Sequence, residues 1–265
     1  MKRQTPHQNW QNDYFGDAYL ELYASYLYDP KEVQSETEFV IEALNLNKGD
    51  ALLDLACGFG KHLHFFLKKG MKAFGLDISL KYLQSARNLI PKIHLRKLSL
   101  VRGDMRTLPF GKESFDAVCC LFNSFGYFPP GNPDPYMGIL REIRRILKPG
   151  GRFFLEVPNK KPVLSMVRNS PQTLQCGNGF LIHELWDYDE DQCTLHNKTT
   201  FTIEDRQTRV GYQLYLFSRG ELASLFKKTG FRVIQTFGDY EDSPYSLTGS
   251  PYLLIVGEKT GTNPD

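Results

Sequence analysis

At 265 residues the chain has the length of one globular domain, or of one domain carrying a sizeable insertion. With 41% hydrophobic and 23% charged residues it has an ordinary soluble composition, which argues against disorder and against a fibrous repeat. Thirty-two basic side chains against thirty acidic ones leave a formal charge of +2, too small for the broad positive field that sequence-independent nucleic-acid binding needs. The five cysteines (Cys57, Cys119, Cys120, Cys176, Cys193) are scattered, odd in number and form no CxxC pair, so neither a disulfide framework nor a structural zinc site is expected. The polar start MKRQTPHQNWQNDYFGD has no apolar signal-peptide stretch, and no apolar run approaches the roughly 18 residues needed to cross a bilayer. The expected compartment is the reducing cytoplasm.

In chain order, ALLDLA (51–56) reads as a short buried strand, followed by the turn CGFG and the helix KHLHFFLKKG, in which Leu63, Phe66 and Leu67 share a face and Gly70 ends the helix. KAFGLD (72–77) is a second strand, and Ser79 caps the helix LKYLQSARNLI, stopped by Pro91. LSLVRGD (98–104) and the continuous apolar FDAVCCLF (115–122) are the third and fourth strands. PDPYMGILREIRRILKPGG places Met137, Leu140, Ile143 and Leu147 on one helical face and ends in a Pro-Gly-Gly stop before a fifth strand, RFFLEVP. Such alternation predicts a parallel sheet with helices on both faces. Residues 176–217 depart from it: FLIHELWDY, CTLHNKTTFTI and TRVGYQLYLF are β-prone runs between polar turns, which predicts a small antiparallel insertion after strand five. SRGELASLFKKTGF is a helix capped by Ser218, and RVIQTF and YLLIVGEK are strands joined by a segment rich in Pro, Gly and Ser. One strand of that pair therefore runs antiparallel to the rest.

Three features fall at the carboxyl ends of the first three strands. Asp54-Leu-Ala56-Cys57-Gly58-Phe-Gly60 runs a strand into a glycine turn and a helix start, where a ligand can approach the backbone and an anion can meet free N–H groups. Asp77, nineteen residues beyond Gly58, is placed to accept hydrogen bonds from a ribose diol. Gly103-Asp104-Met105 offers an acid beside an apolar side chain, suited to an adenine edge and face. One adenosyl ligand accounts for all three.

These residues resemble the class I S-adenosylmethionine-dependent methyltransferases. LLDLACGFGKH is similar to the glycine-rich first motif of that superfamily, GLDIS to its ribose-binding motif, and GDMRTLPF to its adenine segment. FDAVCCLFNSFGYF is similar to the fourth-strand motif and ILKPGGRFFLEVP to the stretch before strand five. Small-molecule methyltransferases of bacteria look most alike. The resemblance implies a Rossmann-like three-layer α/β/α sandwich, α/β in class, with a seven-stranded mostly parallel sheet, one reversed strand and the antiparallel insertion. It also implies S-adenosyl-L-methionine as cofactor. Carried over by position, Gly58 and Gly60 pack against its amino-acid portion, Asp54 and the backbone at Ala56 and Cys57 receive its ammonium, and Lys61 or His62 helps neutralise its carboxylate. Asp77 with Ile78 binds the ribose, Asp104 takes the adenine amine while Met105 packs on the ring, and Leu121, Phe122 and Asn123 line the methionine moiety and sulfonium.

The division expected is an aromatic lid or helical segment over 1–32, a cofactor-binding domain over 33–160 and 218–260, and the insertion over 176–217 as a substrate cap. In the first segment Tyr19, Tyr23 and Tyr26 share a helical face, and Tyr14 is the aromatic expected to close over a cationic sulfonium. The expected partner is a small-molecule acceptor methylated on N or O, with no membrane and no nucleic acid. A macromolecular acceptor is the alternative, and a nicotinamide-dependent oxidoreductase the next, disfavoured because Leu63 stands where its fingerprint wants a third small residue. Monomer and homodimer both stay open. His183, in HELWDY beside Glu184 and Trp186, is the first candidate for a general base. Glu184, Asp187, His196, Tyr212, Asp239 and Tyr245 are the others.

Overall fold

The structure, a computed structural model, describes residues 15–22, 28–128, 134–176, 180–203 and 206–261. In chain order its first elements are α1 (Asp17–Leu22), α2 (Pro30–Leu44), β1 (Ala51–Leu55), α3 (Lys61–Lys68), β2 (Lys72–Asp77), α4 (Leu80–Leu89), β3 (Leu98–Arg102) and β4 (Phe115–Cys120). There follow α5 (Asp134–Ile146), β5 (Leu147–Pro158), α6 (Lys160–Val167), β6 (Gln172–Cys176), β7 (Phe180–Asp189), β8 (Thr194–Ile203) and β9 (Arg206–Tyr215). The chain ends with α7 (Arg219–Lys228), β10 (Phe231–Phe237) and β11 (Tyr252–Lys259). It forms two compact units. One comprises Pro30–Phe125, Asn132–Asn159 and Phe217–Asp265; the other comprises Met1–Asp29, Gly126–Gly131 and Lys160–Leu216.

The larger unit is built on a seven-stranded sheet in the order β10-β11-β5-β4-β1-β2-β3. β1 pairs in parallel with β2 and β4, while β11 runs antiparallel to both β5 and β10, so one strand is reversed, as the helix-free connection before it predicts. The inner strands are covered on both sides: Leu52, Leu53, Val118, Cys119, Phe153, Phe154 and Ile255 are all fully buried. α2, α3 and α4 pack in sequence beside one another, and α5 packs with α7, giving the three layers of an α/β/α sandwich. Local signals set the helix ends. Ser79 accepts from the Tyr82 N–H, Ser218 and Glu221 form a full capping box, and Gly70, at φ 97°, ends α3 with its N–H on the Leu67 carbonyl.

Two local readings need correction. The buried face of α5 is Tyr136, Ile139, Leu140, Ile143 and Ile146, with Met137 half-buried, and Leu147 is already the first residue of β5, opposite Phe115. The Pro-Gly-Gly stretch is a bulge inside β5, where the register jumps so that Ala117 faces Arg152. Helix α2 was not anticipated, nor was α6.

The smaller unit holds an antiparallel sheet in the order β6-β7-β8-β9. Three of these strands match the expected insertion, and β6 adds a fourth. Leu195, Leu214 and Leu216 form its core with Val163, Leu164 and Val167 of α6 and with Tyr127, Trp186, Tyr188 and Tyr212. Of the aromatic N-terminal segment, Phe15 packs edge-on against Tyr19 at 5.1 Å and against Tyr127 at 5.6 Å. Tyr14, Tyr23 and Tyr26 lie outside the described residues.

Candidate active site

β1 lies where the strand order turns: successive strands are laid to one side through β2 and β3 and to the other through β4 and β5. Such a switch point opens a crevice beyond the carboxyl ends of the strands. Asp54 stands there, opposite Cys119 of β4 and only 2% exposed. Its Oδ1 accepts from the Cys119 thiol at 3.8 Å, while Oδ2 is buried with no partner among the described residues. Burial first, and the nearby Asp77 second, push its carboxyl up to about 7. A buried carboxylate with one oxygen unpaired is costly, and it is the group an incoming ammonium would satisfy.

The turn that follows is built from left-handed residues: Ala56 at φ 62°, Gly58 at 54° and Gly60 at 78°. Gly60 is tightly confined, since a Cβ there would sit 2.8 Å from the Ala86 Cβ of α4. Among the described residues no side chain caps α3, and a helix start of this kind is where an anion can meet backbone N–H groups. Asp77, 8% exposed, ties the turn to β2: its Oδ2 accepts from the Gly58 N–H at 2.9 Å and its Oδ1 from the Ser79 N–H at 2.8 Å. Each oxygen keeps a second lone pair, so the carboxylate can hold the turn and still accept from hydroxyls. Beside it the Ile78 side chain is 49% exposed, open for contact with a ligand.

A buried polar network, which sequence reasoning missed except for Lys61 and His62, backs this turn. Glu36 of α2 accepts from His62 Nε2 at 2.9 Å, with Lys61 Nζ at 3.9 Å. Burial holds the His62 pKa well below its ordinary value, so the imidazole is neutral, and it lowers Lys61 to about 8. Lys61 Nζ lies 3.0 Å from the centre of the Phe122 ring, and Glu156 of β5 accepts from both the Phe122 N–H at 2.9 Å and the Tyr240 hydroxyl at 2.7 Å. Phe122 and Asn123 are consecutive left-handed residues, at φ 54° and 61°, so Glu156 anchors a strained turn just after β4. Asn123 Oδ1 is buried with no partner among the described residues, and Leu121 is buried.

The third acid is engaged differently from the sequence expectation. Asp104 receives both Nε and Nη2 of Arg106, the latter at 2.6 Å, and this pairing lowers its pKa; Met105 beside it is half-buried. The candidate bases are dispersed. His183 is exposed and its Nδ1 bonds Thr173 Oγ1 at 3.0 Å, whereas Glu184, on the opposite face of β7, binds Asn197 and Thr199. Asp187 is exposed, His196 Nδ1 bonds Gln213, and Tyr212 packs on Trp186. Asp239 accepts backbone N–H groups of its own turn, and Tyr245 donates to Asn159. Among the described residues no group of three or more His, Cys, Asp or Glu could hold a metal ion, and no helix is long and apolar enough to cross a membrane.

The sheet, with this strand order and one reversed strand, and with a glycine turn and two strand-end acids at its switch point, has the fold seen in methyltransferases. Residues 52–151 match the family model described as a methyltransferase domain. That segment is therefore a methyltransferase domain of the kind that uses S-adenosylmethionine as cofactor. Over 239 residues it is 28% identical to uncharacterized protein MJ1252 of Methanocaldococcus jannaschii, covering 89% of this chain and 80% of that one. It is 37% identical over 108 residues to the demethylmenaquinone methyltransferase of Lactococcus lactis, covering 39% of this chain and 40% of that enzyme's length. It shares its fold, at a TM-score of 0.65 and 20% identity over 92% of this chain and 98% of the other, with SAM-bound CalS10, an amino pentose methyltransferase from Micromonospora echinaspora.

Proposed function

We propose that this protein transfers a methyl group from S-adenosylmethionine to a nitrogen or oxygen atom of a small-molecule acceptor. The observation that carries the reading is Asp54: a carboxylate 2% exposed at the switch point, with one oxygen unpaired among the described residues. The names of the relatives, a demethylmenaquinone methyltransferase and an amino pentose methyltransferase, support a small acceptor.

In this reading Asp54 takes the cofactor's ammonium, and the backbone of Ala56, Cys57, Gly58 and Gly60 lies against its amino-acid portion. Lys61 is the cation that meets its carboxylate; neutral His62, held by Glu36, positions the helix start instead. Asp77 accepts from the ribose hydroxyls beside Ile78. Asp104, whose oxygens already receive the Arg106 backbone N–H, Nε and Nη2, takes the adenine amine by sharing an oxygen with that residue, while Met105 packs on the ring. Leu121, Phe122 and Asn123 line the methionine chain, and the Asn123 oxygen, unpartnered among the described residues, is the acceptor that can stabilise its positive centre. The cofactor supplies an activated methyl group on a sulfonium; the chain's own work is alignment of the acceptor and exclusion of water. The insertion is the unit we assign to acceptor selection, because in chain order it follows β5.

Calorimetry with S-adenosylhomocysteine and with NAD tests the assignment. Binding of the first and not the second is expected, and binding of NAD alone overturns it. Methyl transfer from labelled cofactor to small amines and alcohols, but not to RNA or protein, is the matching activity result.

A further inference from the structure

One face of the four-stranded sheet carries a polar group that the methyl-transfer reading leaves unused. Register places Glu184 opposite Thr199 and Trp186 opposite Asn197, with Tyr212 beside Asn197 on the next strand. These side chains therefore share a face, two residues apart along each strand. Asn197 and Thr199 are 3% and 1% exposed. The Thr199 hydroxyl donates to Asn197 Oδ1 at 2.6 Å, which turns the amide so that Asn197 Nδ2 donates to Glu184 Oε1 at 3.2 Å. A hydroxyl has one proton, so the longer approach of Thr199 to Glu184, at 3.4 Å, adds little. Two buried neutral groups thus aim one carboxylate oxygen, and Oε2 has no partner among the described residues. Beside it the Trp186 indole N–H is also buried without a partner among the described residues, and its ring meets Tyr212 edge-on at 6.2 Å.

This arrangement is poorly explained as packing. A half-buried acid held, among the described residues, by uncharged donors wants a cation; burial raises the Glu184 pKa, and no described basic side chain acts on it. A buried indole N–H wants an acceptor. We propose that Glu184, Asn197, Thr199 and Trp186 form a recognition site for a small molecule carrying an amine beside a hydroxyl or ether oxygen: the amine donates to Glu184 Oε2 and the oxygen accepts from Trp186 Nε1. That this ligand is the methyl acceptor rests on the reading above; the site itself does not.

The test is calorimetry on the full chain with glucosamine as probe and glucose as its uncharged counterpart, in the presence of S-adenosylhomocysteine. Glucosamine should bind roughly tenfold or more tightly than glucose, the ratio expected for one charge-assisted hydrogen bond. Glu184→Gln should erase that preference, and Trp186→Phe should weaken glucosamine by about threefold to tenfold through loss of one neutral hydrogen bond. Both variants should bind S-adenosylhomocysteine as the wild type does, which also shows that they fold. Equal binding of glucosamine and glucose, an undiminished preference in Glu184→Gln, or no glucosamine binding by protein that takes up S-adenosylhomocysteine would each overturn the site. Failure of S-adenosylhomocysteine itself to bind would overturn the methyl-transfer reading and leave the glucosamine result to decide the site alone.

Discussion

Asp77 holds the fold with one carboxylate and, in the function proposed above, serves the ligand with it too. It accepts the Gly58 and Ser79 N–H groups, so its removal strands two backbone donors as well as any ribose contact. Asp77→Ala should weaken S-adenosylhomocysteine by about tenfold to a hundredfold, one or two charge-assisted hydrogen bonds, and lower the melting temperature too. Asp77→Asn, which keeps an acceptor at one oxygen, should cost less stability; calorimetry and thermal melts on both variants check this. The strand-end position and the glycine turn made Asp77 legible from sequence. The network behind it was not. Glu36 meets His62 across 26 residues and Tyr240 meets Glu156 across 84, and no local pattern announces pairs so far apart. Tyr240→Phe removes one donor from a buried carboxylate that also holds the Phe122 N–H. It should lower stability by about 1 kcal/mol and raise the Kd of S-adenosylhomocysteine by threefold or more, through loosening of the Phe122–Asn123 turn. A melt that falls with no change in affinity would show that the network supports the fold alone.

Elements were readable where one face was uniformly apolar, as in α3 with Leu63, Phe66 and Leu67 all buried. Helix α2 escaped because its inward face mixes Val33, Val40 and Leu44 with buried Glu36 and Thr37. The buried carboxylate breaks the stripe that would have revealed the helix. Between elements, one tight joint is Gly60 against Ala86 of α4, the role played by a close-packing glycine in nucleotide-binding turns. Gly60→Ala adds a methyl 2.8 Å from Ala86 Cβ at φ 78°, so both the left-handed backbone and the neighbouring helix resist it. A destabilisation of about 2–3 kcal/mol is expected, with weakened S-adenosylhomocysteine binding as the turn shifts. Gly220→Ala is the control: nothing lies within 4 Å of its added methyl and α7 continues through it. That variant should be neutral or gain up to about 1 kcal/mol. Equal melting of the two variants would remove the packing argument.

At the scale of the whole molecule, the proposed role of Asp54 would link ligand binding to stability with opposite pH trends. Its folded-state pKa, about 7, lies above the ordinary carboxylate value of 3.8. The folded protein therefore holds a proton there that the unfolded chain has released. The stabilisation is fully present below the unfolded pKa and is lost as pH rises through about 7. An ammonium ligand instead needs the ionised form, so affinity should rise with pH through the same window. His62, kept neutral by burial, works against Asp54 at the acid end, but that contribution is shared by wild type and Asp54→Asn and cancels in their difference. The Asn variant should be the more stable, by a margin that widens by about 1 kcal/mol between pH 6 and 8, and it should bind S-adenosylhomocysteine weakly at every pH. In the wild type, the rise in melting temperature given by a fixed concentration of S-adenosylhomocysteine should grow over that interval while the unliganded melting temperature falls. Thermal melts of both proteins across this range, with and without ligand, decide the matter. A constant margin, or a ligand shift that ignores pH, would mean that Asp54 is not the group that meets the ammonium.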